Sequence, residues 1–188
     1  MIEKTQKAEL RRQLLTKRRS LPQSIWREKS DRLCHALNSF LLGTDATTIL
    51  AYFSFRQEPD LTPLFSSPKY RFGFPRCVAK SLSWHCWKPG EAYQTGLYGI
   101  FEPSPDSPVL HPEEVDLILV PAVACDARGY RLGYGGGFYD RMLSLPEWSG
   151  KPTIGILFDF AYLPQLPIDP WDKPLTGICT ESGFQWLK

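Results

Sequence analysis

Hydrophobic positions follow two different periods along this chain. Over residues 4–19, Leu10, Leu14 and Leu15 form a narrow apolar stripe at helical spacing, and Lys7 and Arg11 share a face four residues apart. Pro22 suits the first turn of a second helix, which carries Ile25, Trp26, Leu33, Ala36, Leu37 and Phe40 and stops at Gly43. The intervening Lys17-Arg18-Arg19 reads as a solvated helix end, where cations favour the dipole. From residue 47 the period shortens. Residues 47–54, 71–75 and 83–87 are predicted strands, the first rich in β-branched and aromatic side chains. Residues 115–124 and 152–158 are short, nearly continuous apolar runs, as in strands buried on both faces. Residues 138–145 predict a helix and 175–180 a last short strand. The stretches 99–114 and 159–174, rich in proline, predict irregular connections. Strands alternating with helices predict one α/β domain over residues 1–188 with a mostly parallel sheet.

The chemistry concentrates just after the run at 115–124. Arg131-Leu-Gly-Tyr-Gly-Gly-Gly-Phe-Tyr-Asp-Arg141 holds four glycines, at 133, 135, 136 and 137. Glycine lets the backbone turn at positive φ and bring its N–H groups close to a ligand. Successive N–H groups then form a concave anion site. Arg131 and Arg141 add planar forks of donors that suit phosphate. Asp140 is a candidate ligand for the Mg²⁺ that accompanies a nucleotide triphosphate. Ligands of open α/β sheets bind beyond the carboxyl ends of the strands, where this loop is expected. It has neither the G-x-x-x-x-G-K-[ST] nor the G-x-G-x-x-G pattern, whose third glycine falls on Phe138. Taken alone, the loop also fits a tight turn with ordinary surface charges.

Charge and cysteine usage narrow the classes. Twenty-two basic against 20 acidic residues leave a net charge of +2, too little to argue for a nucleic-acid partner. No run of apolar residues is long enough to predict a membrane span, and the polar N-terminus does not read as a signal peptide. A cytoplasmic protein with no membrane partner is expected. Cys34, Cys77, Cys86, Cys125 and Cys179 are odd in number and lack C-x-x-C spacing, which fits a reducing compartment rather than disulfides or zinc. His35, His85 and His111 are scattered and read as structural or exposed.

Six separated segments carry a further signal. They are Lys7-Ala-Glu-Leu-Arg11, Phe53-Ser-Phe-Arg-Gln-Glu-Pro-Asp60, Phe74-Pro-Arg76, Gly99-Ile-Phe-Glu-Pro103, the long stretch from Val120 through Arg141, and Pro170-Trp-Asp-Lys-Pro174 followed by Thr180-Glu181. In this order, over nearly the full length, the chain resembles the 5-formyltetrahydrofolate cyclo-ligase family, also called methenyltetrahydrofolate synthetases. The stretch ending at Arg141 is the most specific of the six. The resemblance implies a single-domain α/β sandwich similar to the ribose-phosphate isomerase and CoA transferase fold. It implies conversion of 5-formyltetrahydrofolate to 5,10-methenyltetrahydrofolate, with ATP as co-substrate and Mg²⁺ as cofactor, through a phosphorylated formyl group. A monomer acting on a folate, possibly polyglutamylated, is expected, with no nucleic-acid partner.

The resemblance also implies roles residue by residue. Lys7, Arg11, Arg131, Leu132, Gly133, Tyr134, Gly135, Gly136, Gly137, Phe138 and Tyr139 match ATP-contacting positions, with Arg131 and Tyr139 as the catalytic pair. Phe53 and Glu58, with Tyr134, Gly135, Gly136, Gly137 and Phe138, match folate-contacting positions. A carboxylate at Glu58 suits a pterin's amino and ring N–H donors. Asp140 and Asp172 match Mg²⁺ ligands. Arg76 is placed to reach a folate's glutamate tail, on its charge alone. The plainer alternatives are a basic surface face for Lys7 and Arg11, core packing for Phe53 and a turn for Asp172. Cys125, Phe138, Trp171 and Gly136 depart from residues common in the family, and Cys125 reads as a buried thiol. A non-catalytic nucleotide- or RNA-binding module and a sugar-phosphate isomerase are the competing functions.

Overall fold

The computed structural model describes residues 2–187, with side chains from residue 6 onward. Two helices open the chain, α1 (Ile2–Arg19) and α2 (Gln23–Leu42), with Pro22 and Gly43 as the caps of α2. Then follow β1 (Thr48–Leu50), the hairpin β2 (Arg71–Val78) and β3 (Ser81–Cys86), and a small pair, β4 (Tyr93–Thr95) and β5 (Phe101–Pro103). After these come β6 (Leu117–Pro121), β7 (Ala124–Asp126), β8 (Arg131–Leu132), α3 (Phe138–Leu143) and α4 (Pro146–Ser149). The chain closes with β9 (Thr153–Ile156), β10 (Tyr162–Leu163), β11 (Gly177–Thr180) and β12 (Gly183–Trp186).

Seven strands form the central sheet, in the order β12-β11-β9-β6-β1-β2-β3. The inner five are parallel, and antiparallel β12 and β3 close the two edges. This is the expected α/β architecture with a mostly parallel sheet. Alternation along each strand splits its side chains between two cores. Ile49, Leu117, Leu119, Ile154 and Ile156 meet Leu33, Leu37 and Leu41 of α2. Leu50, Ile118, Val120 and Ile178 meet Leu14 of α1, Met142 and Leu143 of α3, and Trp148 of α4. Both faces are covered, which is why these strands read as continuous apolar runs.

The structure divides two of the predicted strands. β1 ends at Leu50, the Ala51 N–H makes a last bond to the Gly73 carbonyl (2.8 Å), and residues 52–54 leave the sheet toward a turn in which Arg56 and Gln57 take left-handed φ values of 51° and 57°. The run at 115–124 is also two elements. β6 ends at Pro121, and β7 belongs to a second sheet of order β10-β7-β8. Both pieces are buried, so hydrophobicity alone cannot show the switch. β12, β4 and β5 carried no strand signal; β4 and β12 are largely exposed and gain their pairing from a hairpin partner.

Asp126 fixes the turn that delivers β8 and the loop beyond it. Its fully buried carboxylate accepts from the backbone N–H groups of Arg128 (3.0 Å), Tyr130 (3.0 Å) and Leu166 (2.9 Å), and from the Arg128 guanidinium at 2.7 and 2.9 Å. Asp126→Asn replaces one acceptor by a donor that faces these donors. The expected loss is about 2 kcal/mol of stability, read as a lower urea midpoint at unchanged slope.

Candidate active site

Helix α1 supplies a row of long side chains to one end of the sheet. Lys7, Arg11, Leu14 and Arg18 lie at i, i+4, i+7 and i+11, so they share a face. Leu14 anchors that face in the core. Lys7 donates to Asp169 (2.6 Å) and Asp172 (2.5 Å), and Arg11 to the carbonyl of Gly133 (2.7 Å). Arg18 donates to the carbonyl of Arg56 (3.1 Å) and to the Tyr134 hydroxyl. One helix therefore fastens the 169–172 turn, the glycine loop and the loop after β1. Arg18 is 4% exposed, so the expectation of a solvated helix end fails there. Its position on the Lys7–Arg11 face, one turn past Leu14, was the available signal.

Each cation near the glycine loop sits opposite a glycine. A Cβ on Gly133 would stand 2.5 Å from the Arg131 guanidinium, one on Gly137 2.8 Å from that of Arg141, and one on Gly135 3.8 Å from that of Arg11. Gly135 (φ 101°) and Gly137 (φ 65°) also have left-handed backbones. Among the described residues, the N–H groups of Tyr134, Gly135, Gly136 and Gly137 donate no hydrogen bond. Residues 134–136 are exposed. The result is an open turn of unpaired donors surrounded by guanidinium groups, which suits a polyanion.

Arg131 lies beneath this turn with its side chain 6% exposed, bonded to both oxygens of Asp140 at 3.3 and 3.2 Å and stacked 5.3 Å from the Tyr139 ring centre. Burial raises the Tyr139 hydroxyl well above its ordinary value, against the pull of Arg131. At neutral pH it is a neutral donor rather than a base. Leu132 is buried in the core, and its carbonyl accepts from the Val123 N–H at 2.8 Å. Phe138 packs against Gly136 and Tyr98.

Glu58 is 3% exposed and enters from the turn after β1. Its Oε2 accepts from the Phe55 N–H at 3.1 Å, while Oε1 has no hydrogen-bond partner. The Tyr134 hydroxyl lies near the carboxyl group without bonding geometry. Burial pushes the Glu58 carboxyl up to about 7, opposed by Arg18 and the Phe55 N–H. A buried carboxylate with one open oxygen is costly in a resting protein, and it suits a ligand that brings N–H donors.

Beside it, Phe53 is only half-buried. It stacks on Phe74 (4.3 Å) and meets Trp87 (5.0 Å) edge-on, with the exposed Tyr93 and Phe101 further out. Phe53 thus joins a core and an open aromatic wall. Arg76 does not reach outward. It is bound to the carbonyl of Pro103 and lies 3.8 Å from buried Glu102, which corrects the tail-binding expectation. Cys125 is fully buried and burial pushes its thiol up to about 12, as a structural thiol requires.

The two aspartates matched to Mg²⁺ face different cations, Asp140 the Arg131 guanidinium and Asp172 the Lys7 ammonium. Among the described residues no group of three or more metal-ligating side chains occurs. Asp169, which motif reading missed, joins Asp172 on Lys7, and its N–H bonds the Asp172 carboxylate at 2.8 Å. Burial alone would lower the Lys7 ammonium; the bonds to Asp169 and Asp172 raise it above its ordinary value. Two carboxylates already converge there on one cation, and hard oxygen donors with phosphate oxygens and water suit Mg²⁺.

Comparison with known proteins bears on the same segments. The pattern of the 5-formyltetrahydrofolate cyclo-ligase family matches residues 3–181. A 5-formyltetrahydrofolate cyclo-ligase of Mycolicibacterium smegmatis is 32% identical over 93% of this chain and 93% of its own. A 5,10-methenyltetrahydrofolate synthetase of Aquifex aeolicus superposes with a TM-score of 0.85 at 32% identity, over 97% of this chain and 93% of that one. A synthetase of Mycoplasma pneumoniae shares the fold, with a TM-score of 0.75 at 24% identity over 93% and 98% of the two chains. With the glycine loop, the helix α1 cations and the buried Glu58 at one end of a matching sheet, the chain belongs to the 5-formyltetrahydrofolate cyclo-ligase family of enzymes.

Proposed function

We propose that this chain cyclises 5-formyltetrahydrofolate to 5,10-methenyltetrahydrofolate, consuming ATP in the presence of Mg²⁺. The observation that carries this reading is the pairing of an open donor turn at 134–137 with the open oxygen of buried Glu58, bridged by Tyr134. The turn holds the triphosphate with Arg11, Arg131 and Lys7 around it. Glu58 accepts from the pterin N–H groups, and the aromatic wall at Phe53 covers the ring. The γ-phosphoryl group passes to the formyl oxygen and ADP leaves. The N10 lone pair then attacks the activated carbon, the N10 proton is lost, and phosphate departs with the former formyl oxygen. Positioning and charge stabilisation do most of the work in such a transfer. Arg131 takes the charge that develops on the transferring group, and the neutral Tyr139 hydroxyl donates alongside it. Asp172 and Asp169, with Asp140 nearer the loop, would hold Mg²⁺, which when bound would neutralise phosphate charge.

The first test follows absorbance in the methenyltetrahydrofolate band, with purified protein, 5-formyltetrahydrofolate and Mg²⁺, with and without ATP. A rise that needs ATP is expected. A folded protein that binds ATP without that rise rejects the reading in favour of a non-catalytic nucleotide-binding module. Mg²⁺ titrations sort the carboxylates. Asp140→Asn, Asp169→Asn and Asp172→Asn are each expected to raise the half-saturating Mg²⁺ concentration by roughly 10-fold or more. A variant with unchanged Mg²⁺ demand removes that residue from the ligand set.

A further inference from the structure

The proposed reaction gives no task to Arg18, the most enclosed cation of the site. A buried guanidinium is normally paired with a carboxylate, yet among the described residues none lies within salt-bridge distance of Arg18. Its two bonds go instead to neutral groups on two different loops, the carbonyl of Arg56 and the hydroxyl of Tyr134. We propose that Arg18 is a positioning residue that couples the two substrate sites, linking occupation of the glycine loop to the seating of the folate ring at Glu58. The proposal rests on the functional reading above.

On the folate side, Arg18 holds a strained turn. Arg56 and Gln57 are consecutive non-glycine residues at left-handed φ, a conformation that persists only where surrounding contacts fix it. Those contacts come from the two helices and the short segment joining them. Arg18 binds the Arg56 carbonyl, the Leu21 carbonyl accepts from Gln57 (3.2 Å), and the Trp26 indole donates to the Glu58 carbonyl (2.9 Å). On the nucleotide side, Tyr134 stands between Gly133 and left-handed Gly135, so its backbone has little stiffness of its own. Its ring is 38% exposed and lies 5.5 Å from the Arg18 guanidinium. The bond from Arg18 to its hydroxyl ties that flexible turn to the one carrying Glu58. A nucleotide that orders residues 134–137 thereby biases Tyr134, Arg18 and the Glu58 turn together.

The charge of Arg18 has a second consequence. Among the described residues, Arg18, Arg56, Tyr52, Tyr134 and Tyr139 are the charged and titratable groups that interact with the Glu58 charge. Burial raises all three tyrosines, so they stay neutral near pH 7. Arg18 is the strongest influence favouring the Glu58 carboxylate.

The test measures the Kd of 5-formyltetrahydrofolate across pH 5.5–8.5, with and without a non-hydrolysable ATP analogue and Mg²⁺. The full chain is compared with Arg18→Met, Arg18→Lys and Tyr134→Phe. In the unaltered chain the analogue is expected to tighten folate binding about fivefold or more. Arg18→Met should abolish that linkage and move the acid limb of folate binding up by about one pH unit. Arg18→Lys should restore the limb but not the linkage, because an ammonium lacks the fork that spans both loops. Tyr134→Phe, which keeps the buried Arg18 charge, should lose the linkage while moving the acid limb less than Arg18→Met does, and it decides the matter if Arg18→Met does not fold. Independent binding of the two ligands in the unaltered chain overturns this inference while leaving the functional reading intact. So does an Arg18→Met or Tyr134→Phe protein that keeps the linkage. An unaltered chain that binds no folate overturns the functional reading, and this inference with it.

Discussion

Arg131→Ala is expected to lower kcat/KM by about 10³-fold, with most of the loss in kcat. The guanidinium is fixed by Asp140, by the ring of Tyr139 and by the close approach that Gly133 permits. A cation held in this way needs no reorganisation when charge develops on a transferring phosphoryl group, so its contribution falls on the transition state. Arg131→Lys is expected to recover little, since a single ammonium cannot keep both oxygens of Asp140 and serve the phosphate. Steady-state kinetics at saturating ATP and folate check this. A loss confined to the ATP KM, with kcat unchanged, would make Arg131 a binding residue only.

Glu58→Gln is expected to act in opposite directions on function and on stability. Gln keeps the shape but presents a donor where the pterin donors arrive. One mispaired buried hydrogen bond costs about 1–3 kcal/mol, so the folate KM should rise roughly 10- to 100-fold while the ATP KM changes less. Equal effects on both would count against the folate contact. Stability should rise. The folded carboxyl group titrates at about 7 against an ordinary 4.5. Between those values the unfolded chain gives up its proton first, so the native state loses stability as pH rises through that window. Above pH 7 the cost is on the order of 3 kcal/mol, and Gln removes it. The variant should therefore melt higher at pH 8 by several degrees, with an advantage that shrinks toward pH 4.5. A melting advantage independent of pH would show that Glu58 is not the buried acid described here.

Function and stability conflict at Glu58 for the same reason that the turn beneath it is strained. The site keeps a carboxylate poorly satisfied, just past the left-handed residues Arg56 and Gln57, where a ligand can complete it. Asp126 shows the contrary arrangement, where the chain itself supplies every donor.

Periodicity placed α1 and α2, each of which buries one stripe, while continuous apolar runs and β-branched or aromatic content placed the inner strands, which are buried on both faces. The glycine loop was legible as a candidate anion site, although the same residues alone also fit a tight turn with surface charges. Lys7 and Arg11 were legible as one face, because that relation is local to a helix. What sequence could not supply was the company each charged group keeps. Arg18 looks like any cation at a helix end until the turn at 56–58 and Tyr134, 38 and 116 residues away, enclose it. Asp169 gains meaning only when Lys7 arrives from 162 residues off, and Arg76 loses its outward role once Glu102 and Pro103 claim it. The division of 115–124 between two sheets was equally invisible, since both pieces are apolar and buried. Sequence determined the elements and the chemistry available, which depend on neighbours a few residues apart. Tertiary structure alone decided which charges are paired, buried or left open, because those depend on the partners and solvent that distant segments bring or exclude.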